Sequence, residues 1–290
     1  MTNYHAFNPN PTRPDLVLPK HSCDSQFHVF GAIDQYPIRP GAAYEMPSAT
    51  IDVALKLHRL LGIDRGVIVQ ATTYGADHKV VLDALDIAGP NYKGCANAVV
   101  LLERDESYLL KLHEAGVRGA RFNRQGLGIS MTADEFARSM AIIKELGWYV
   151  KFQPEPKGMM EQAALFEKLE IPVVLDHMGR SDLNQGKNDP TLRLILELLK
   201  KGNFWVMLSL TEKISLSGHP WDDVLPLAHT LIEAAPDRMI WGSDWPHPVS
   251  ASPPPDEALL VNQLVRYAGD LQTLNKILVS NPAQLFGFGS

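Results

Sequence analysis

The sequence predicts a single (β/α)8 barrel, the TIM-barrel class of α/β fold. Three observations carry that prediction. Eight short apolar runs alternate with longer segments of helical periodicity along the 290 residues. The runs are continuously apolar, as in parallel strands buried on both faces. A doubly wound sheet would carry a glycine-rich phosphate turn after its first strand, whereas here the first strand ends in His28-Val29-Phe30-Gly31. The length suits one barrel of about 250 residues or two domains of about 150. No linker or shift in composition divides the chain, which favours one barrel.

Residues 1–20 read as an extended N-terminal arm, because Asn8, Pro9, Asn10, Pro11 and Pro14 suppress helix and no apolar leader is present. Residues 21–290 read as the barrel. Its first strand is 24–30, followed by a helix over 48–61 with Ser48 as candidate N-cap and Ile51, Leu55, His58 and Leu61 at helical spacing. The second strand, 66–69, leads into a helix at 78–87. The third, 96–101, precedes a helix at 107–115. The fourth, 118–122, precedes a helix at 132–146, where Thr132 and Glu135 have capping-box spacing. Strands at 149–152, 172–175, 204–208 and 239–241 alternate with helices at 159–169, 190–200, 221–234 and 256–268. An extra C-terminal helix is expected over 271–279.

Composition narrows the function classes. Apolar residues make up 45% and charged residues 21%, the balance of an ordinary soluble enzyme. The net charge is −6, opposite in sign to that of a non-specific nucleic-acid binder. No run of about 18 apolar residues marks a membrane span. Two cysteines far apart, Cys23 and Cys95, predict a reduced, cytoplasmic protein. Nothing in the sequence bears on oligomeric state.

In a barrel, side chains at the C-terminal strand ends converge on one mouth. The first strand offers Asp24, Gln26 and His28 on one face at period two. The second offers Gln70, the fourth Arg121 and Asn123 with Arg124 just beyond, the fifth Gln153. The sixth gives Asp176 and His177, the seventh Ser209 and then Lys213, the eighth Ser243, Asp244 and His247. Polar side chains on a buried face are costly unless they bond something. Asp24 and Gln26 fit backbone or core hydrogen bonding as well as function, Asp176 fits a buttress, and His247 fits a supporting group. His28, His177 and Asp244 converging from three strands point to catalysis. Arg121, on a strand after Gly119 and Ala120, points to an anion site. Lys213 and Arg124 read equally as anion contacts or as solvated loop charges, and Gln26, Gln70, Asn123 and Gln153 are further candidate substrate contacts.

Four blocks make the chain similar to a known family: Asp24-Ser25-Gln26-Phe27-His28-Val29-Phe30-Gly31, Gly119-Ala120-Arg121-Phe122-Asn123, Leu175-Asp176-His177-Met178-Gly179-Arg180, and Trp241-Gly242-Ser243-Asp244-Trp245-Pro246-His247-Pro248. They resemble the amidohydrolase superfamily, and within it the 2-pyrone-4,6-dicarboxylate lactonase and sulfomuconolactone hydrolase branch, from about residue 20 to 286. The resemblance implies catalytic roles for His28, His177 and Asp244 and substrate contacts from Arg121, Tyr44 and Lys213. Gln26 stands where the superfamily has the first histidine of its His-x-His pair, and Gln153 where a histidine or tyrosine is expected. A second arginine of the carboxylate site is not evident; Arg124 is the candidate to replace it.

The departures bear on the cofactor. A binuclear centre needs about six to eight donors, and Arg121 puts positive charge where a second cation would sit, so none is expected. One zinc held by His28, His177 and Asp244 and a metal-free site both stand, since the branch resembles members of each kind. Either way the expected reaction is the opening of a small anionic lactone of muconolactone or pyrone type, in aromatic-compound breakdown, with Asp244 activating water. The alternatives are a sugar-acid lactone isomerase or lactonase of galactarolactone type, a metal-dependent decarboxylase and a non-catalytic ligand-binding barrel. A retained Asp244 favours hydrolysis, because the isomerase lacks that base; Gln26 is what the chain shares with it.

Overall fold

A computed structural model describes residues 4–123, 131–155, 159–166, 168–250 and 252–289. Eight parallel strands form one sheet in sequence order: β1 (Cys23–Phe27), β2 (Arg65–Val69), β3 (Tyr92–Asn97), β4 (Val117–Asn123), β5 (Tyr149–Gln153), β6 (Val173–Leu175), β7 (Phe204–Leu208) and β8 (Met239–Trp241). The main surrounding helices are α1 (Ile51–Leu61), α2 (Lys79–Ala88), α3 (Glu106–Glu114), α4 (Ala133–Glu145), α5 (Pro190–Leu199), α6 (Leu225–Ala234) and α7 (Glu257–Ala268). This is the expected (β/α)8 barrel.

Two apolar clusters reflect the two faces of the strands. Val67, Val69, Tyr149, Val174, Trp205, Met207 and Ile240 belong to one, together with Phe286 and Phe288 of the tail. The larger one joins the other strand face to the helices, with Phe27, Ile68, Leu175, Phe204 and Leu208 among its fully buried members. The tail is tied to the start of β2, where the Arg65 guanidinium donates to the Gly289 carbonyl at 2.6 Å and lies 5.2 Å from the Phe288 ring centre.

The seam between β1 and β8 closes just beyond the strand ends. The Asp244 amide donates to the Gln26 carbonyl at 2.9 Å, and the His28 amide to the Trp245 carbonyl at 2.7 Å. Asp24 bonds across the same seam to the Ser243 amide at 3.0 Å and to the Ser243 hydroxyl at 2.5 Å. It also meets His58 Nε2 at 3.3 Å. Asp24 is thus a fully committed structural carboxylate. Gly242 permits the approach, since a Cβ there would come within 2.7 Å of Gln26 Cβ and 2.9 Å of its backbone nitrogen.

Several element boundaries differ from those predicted. β3 begins at Tyr92 rather than 96, because its register pairs Tyr92 with Gly66 and Cys95 with Val69. The apolar run that suggested a later strand, Val99 to Leu101, is buried but leads into a helical turn at Val100–Glu103. The residue preceding α1 is Thr50, with no side-chain cap; the Ser48 hydroxyl instead donates to the Phe30 carbonyl. Among the described residues of the helix expected over 159–169 are two short turns, Met160–Gln162 and Ala163–Phe166. Met160 and Leu165 are exposed there. The C-terminal helical run continues past 279 to Phe286 through a π turn at Lys276–Ser280. The capping box of Thr132 and Glu135 forms as predicted.

His78, just before α2, is fully buried; its Nε2 accepts the Asn97 amide at 3.1 Å while Nδ1 faces the Ala76 carbonyl at 3.2 Å. That pairing requires the neutral ring. Burial pushes its pKa down to about 4, against the opposing pull of the Ala76 carbonyl and Asp77. The folded value lies below the unfolded value of about 6.5, so the unfolded chain binds the proton more readily between pH 6.5 and 4, and stability falls on acidification through that window. His78→Gln should therefore flatten the loss of stability between pH 7 and 5 by on the order of 2 kcal/mol. Urea midpoints of both proteins at the two pH values check this; parallel declines would refute it.

Candidate active site

The mouth of the barrel holds a cavity of about 340 Å³ lined by groups from most of the strand ends and from the arm. His28, Tyr44, Arg121, Asn123, Gln153, His177, Lys213 and Asp244 all line it. Eight of the sequence-predicted site residues thus converge on one space.

Asp244 is placed by local backbone geometry. It follows β8 with φ +62°, in the left-handed region, where aspartate is among the more tolerated residues. His177 is set in the same way after β6, with φ +55°. Asp244 Oδ1 accepts the Gln26 amide at 2.7 Å and lies 3.3 Å from His28 Nε2. Burial alone would raise its pKa. The His28 hydrogen bond, with the charge of Lys213, outweighs burial and holds the carboxyl well below the usual range. Gln26, predicted as a substrate contact, instead orients Asp244 through its side-chain amide, and its Oε1 is buried without a partner.

The two histidines differ. His28 Nδ1 lies 2.8 Å from the Val69 carbonyl and must carry a proton there, so the hydrogen bond from Nε2 to Asp244 needs a proton on that nitrogen as well. His177 Nδ1 meets the Ser209 hydroxyl at 2.9 Å, and its Nε2 meets Arg121 Nη2 at 3.4 Å. Since the guanidinium only donates, Nε2 presents its lone pair and the ring is neutral. Burial pushes the His177 pKa down to about 4, with Arg121 and Arg180 adding to the fall against Asp176 and Asp244.

Arg121 is held by Asp176, whose Oδ2 accepts its Nε at 2.9 Å, while the other carboxylate oxygen meets Lys151 Nζ at 2.6 Å. Burial would raise the Asp176 pKa, but Lys151 and Arg121 overcome it and keep it below the ordinary value. Lys151 was missed in the sequence, although it shares one strand face with Tyr149 and Gln153, which was signal enough.

A second omission matters more for substrate. Arg180 lines the cavity, at φ +51° just after β6. It brings a second guanidinium to the cavity and stands within the Asp176-His177-Met178-Gly179-Arg180 block. Arg124, the expected substitute, lies outside the described residues. Gln70 is not at the cavity: its amide donates to the Asp77 carbonyl at 2.6 Å and ties the loop after β2. Tyr44 lines the cavity and accepts from the Thr72 hydroxyl at 3.2 Å, and Lys213 reaches the Pro248 carbonyl at 3.2 Å. His247 is a supporting group, as expected. It sits buried between Glu212 at 3.3 Å and Glu257 at 3.5 Å, and although burial opposes it, the two carboxylates raise its pKa to about 9.

Two of the inward-facing ligand atoms are already engaged. Asp244 Oδ1 serves both Gln26 and His28, and the His177 lone pair faces a guanidinium. A metal ion bound by His28, His177 and Asp244 would have to displace Arg121 and accept its charge within a few ångströms.

A parallel eight-stranded barrel with histidines after β1 and β6 and an aspartate after β8 defines an amidohydrolase-type enzyme fold. The chain belongs to the amidohydrolase family, whose model matches residues 23–288. It is 35% identical over 276 residues to 4-sulfomuconolactone hydrolase of Rhizobium radiobacter, covering 94% of this chain and 92% of that one. It is 34% identical over 287 residues to 2-pyrone-4,6-dicarboxylate hydrolase of Comamonas testosteroni, covering 96% and 93%. Among solved structures, a probable 2-pyrone-4,6-dicarboxylic acid hydrolase from Acinetobacter baumannii with citric acid bound superposes with a TM-score of 0.79 at 25% identity, over 92% of this chain and all of that one.

Proposed function

We propose that the protein hydrolyses a small anionic lactone of muconolactone or pyrone type, in the breakdown of aromatic compounds. The observation that carries this reading is an ionised, buried Asp244 on the wall of a cavity that also presents Arg121, Arg180 and Lys213. Three cations suit a substrate bearing carboxylate or sulfonate, and one carboxylate suits the activation of water. The names of the relatives, and the citric acid held by the Acinetobacter protein, support the same chemistry.

The steps follow from the residues. Arg180 and Lys213 bind the acidic substituents of the ring. Asp244 takes a proton from water as the oxygen attacks the lactone carbonyl. The oxyanion develops beside Arg121 and His28; the His177 lone pair is turned to Arg121, so His177 positions that guanidinium rather than donating itself. The ring oxygen then leaves with the proton that Asp244 returns. Asp244 favours this route over isomerisation, in which a substrate hydroxyl replaces water. The engaged donors favour metal-free action.

A panel of carboxylated and sulfonated muconolactones, 2-pyrone-4,6-dicarboxylate and galactarolactone, each assayed with and without chelator, tests the reading. Ring-opened product at an unchanged rate in chelator is expected. An isomeric lactone as product would point to isomerisation. Loss of activity in chelator with recovery on adding zinc would overturn the metal-free route, and no turnover of any lactone would overturn the hydrolase.

A further inference from the structure

The N-terminal arm is anchored along one side of the barrel. Leu18 is buried. The Asp15 amide donates to Asn262 Oδ1 at 2.9 Å, and Asn262 Nδ2 returns a bond to the Asp15 carboxylate at 2.9 Å. The Thr12 amide donates to both oxygens of Asp256, at 3.1 and 3.0 Å. Phe7 then packs on Trp245, ring centres 5.1 Å apart. Pro9, Pro11 and Pro14 fix φ between these anchors and stiffen the strap. Three residues before Phe7, Tyr4 lines the cavity with Asp244, Arg121 and Lys213. Trp245, on which the arm rests, is the residue next to Asp244. The family match begins at residue 23, so the arm lies ahead of it.

Building on the lactone-hydrolase reading, we propose that Tyr4 is a specificity-determining residue whose ring forms a wall for a planar, unsaturated ring substrate, with Phe7 acting as the positioning residue that holds the arm to the wall of the site. An aromatic face gains most from a flat π-system lying against it and little from a puckered or open polyol acid. The cations select for acidity and Tyr4 selects for flatness.

Binding of two probes that cannot be hydrolysed separates this from turnover: pyridine-2,4-dicarboxylate, a planar dianion, and citrate, a non-planar polyacid. Titration calorimetry on the full chain should show Tyr4→Ala losing about three- to tenfold in affinity for the planar probe and less than twofold for citrate. Tyr4→Phe, which keeps the ring, should stay within twofold for both, and Phe7→Ala should move in the same direction as Tyr4→Ala with an unchanged melting temperature. Equal losses for both probes, or no loss for the planar one, would overturn the assignment. Failure of the wild type to open any lactone would instead count against the hydrolase reading alone.

Discussion

Asp244→Asn is expected to lower kcat for the lactone substrate by about 10²–10⁴-fold, the usual yield of a positioned general base. The amide keeps the size of the side chain and can still bond Gln26 and His28, which hold the carboxylate at 2.7 and 3.3 Å. Only the capacity to take a proton is removed. KM should stay level or fall, because the variant also removes a buried negative charge beside an anionic substrate. That split between kcat and KM distinguishes a lost base from a collapsed site. Steady-state kinetics on whichever lactone the wild type opens is the measurement, and turnover within a few-fold of wild type would remove Asp244 from the mechanism.

Asp176→Asn should cost about 3–5 kcal/mol of stability, the range for breaking a buried ion pair from one side. Lys151 and Arg121 have side chains 1% and 7% exposed, and both give their charge to this one carboxylate, itself fully buried. Neutralising it strands two cations in a low-dielectric interior. The melting temperature should fall by on the order of 10 °C. Arg121 would also lose the partner that fixes its direction, so substrate affinity should fall with stability. Adding Lys151→Met removes one stranded charge and should recover part of the stability but not the affinity. A melting temperature within a degree of wild type would mean that water, not Asp176, compensates these cations.

The strand order and the roster of the mouth were legible because parallel strands buried on both faces leave continuous apolar runs, and polar residues at their ends stand out. His28, Arg121, His177 and Asp244 were recognisable on that ground. Gln26 was misassigned because period-two alternation places it on the face of His28 but carries no depth; the seam with Asp244 decides what its amide meets. Arg180 was overlooked because it lies beyond its strand in a turn with a left-handed backbone, which periodicity does not describe. β3 was displaced because apolar content located the run, whereas register against Gly66 set the strand. Tyr4 could not be read at all: an arm without periodicity gives no direction, and its place at the cavity depends on the far contacts of Thr12 and Asp15.

The seam has a consequence for when the enzyme becomes an enzyme. Gln26 and Asp244 are 218 residues apart, yet their mutual contacts both complete the cylinder and aim the carboxylate. Contacts of such span are slow to form, because the intervening chain must first be ordered. During synthesis or refolding, helices and most of the sheet can assemble with the water-activating group still unaimed. Catalysis should therefore arrive as the last event, and a folding intermediate lacking the final strand should be inert toward lactones however native its spectrum. In a cell this ties the appearance of activity to completion of the chain.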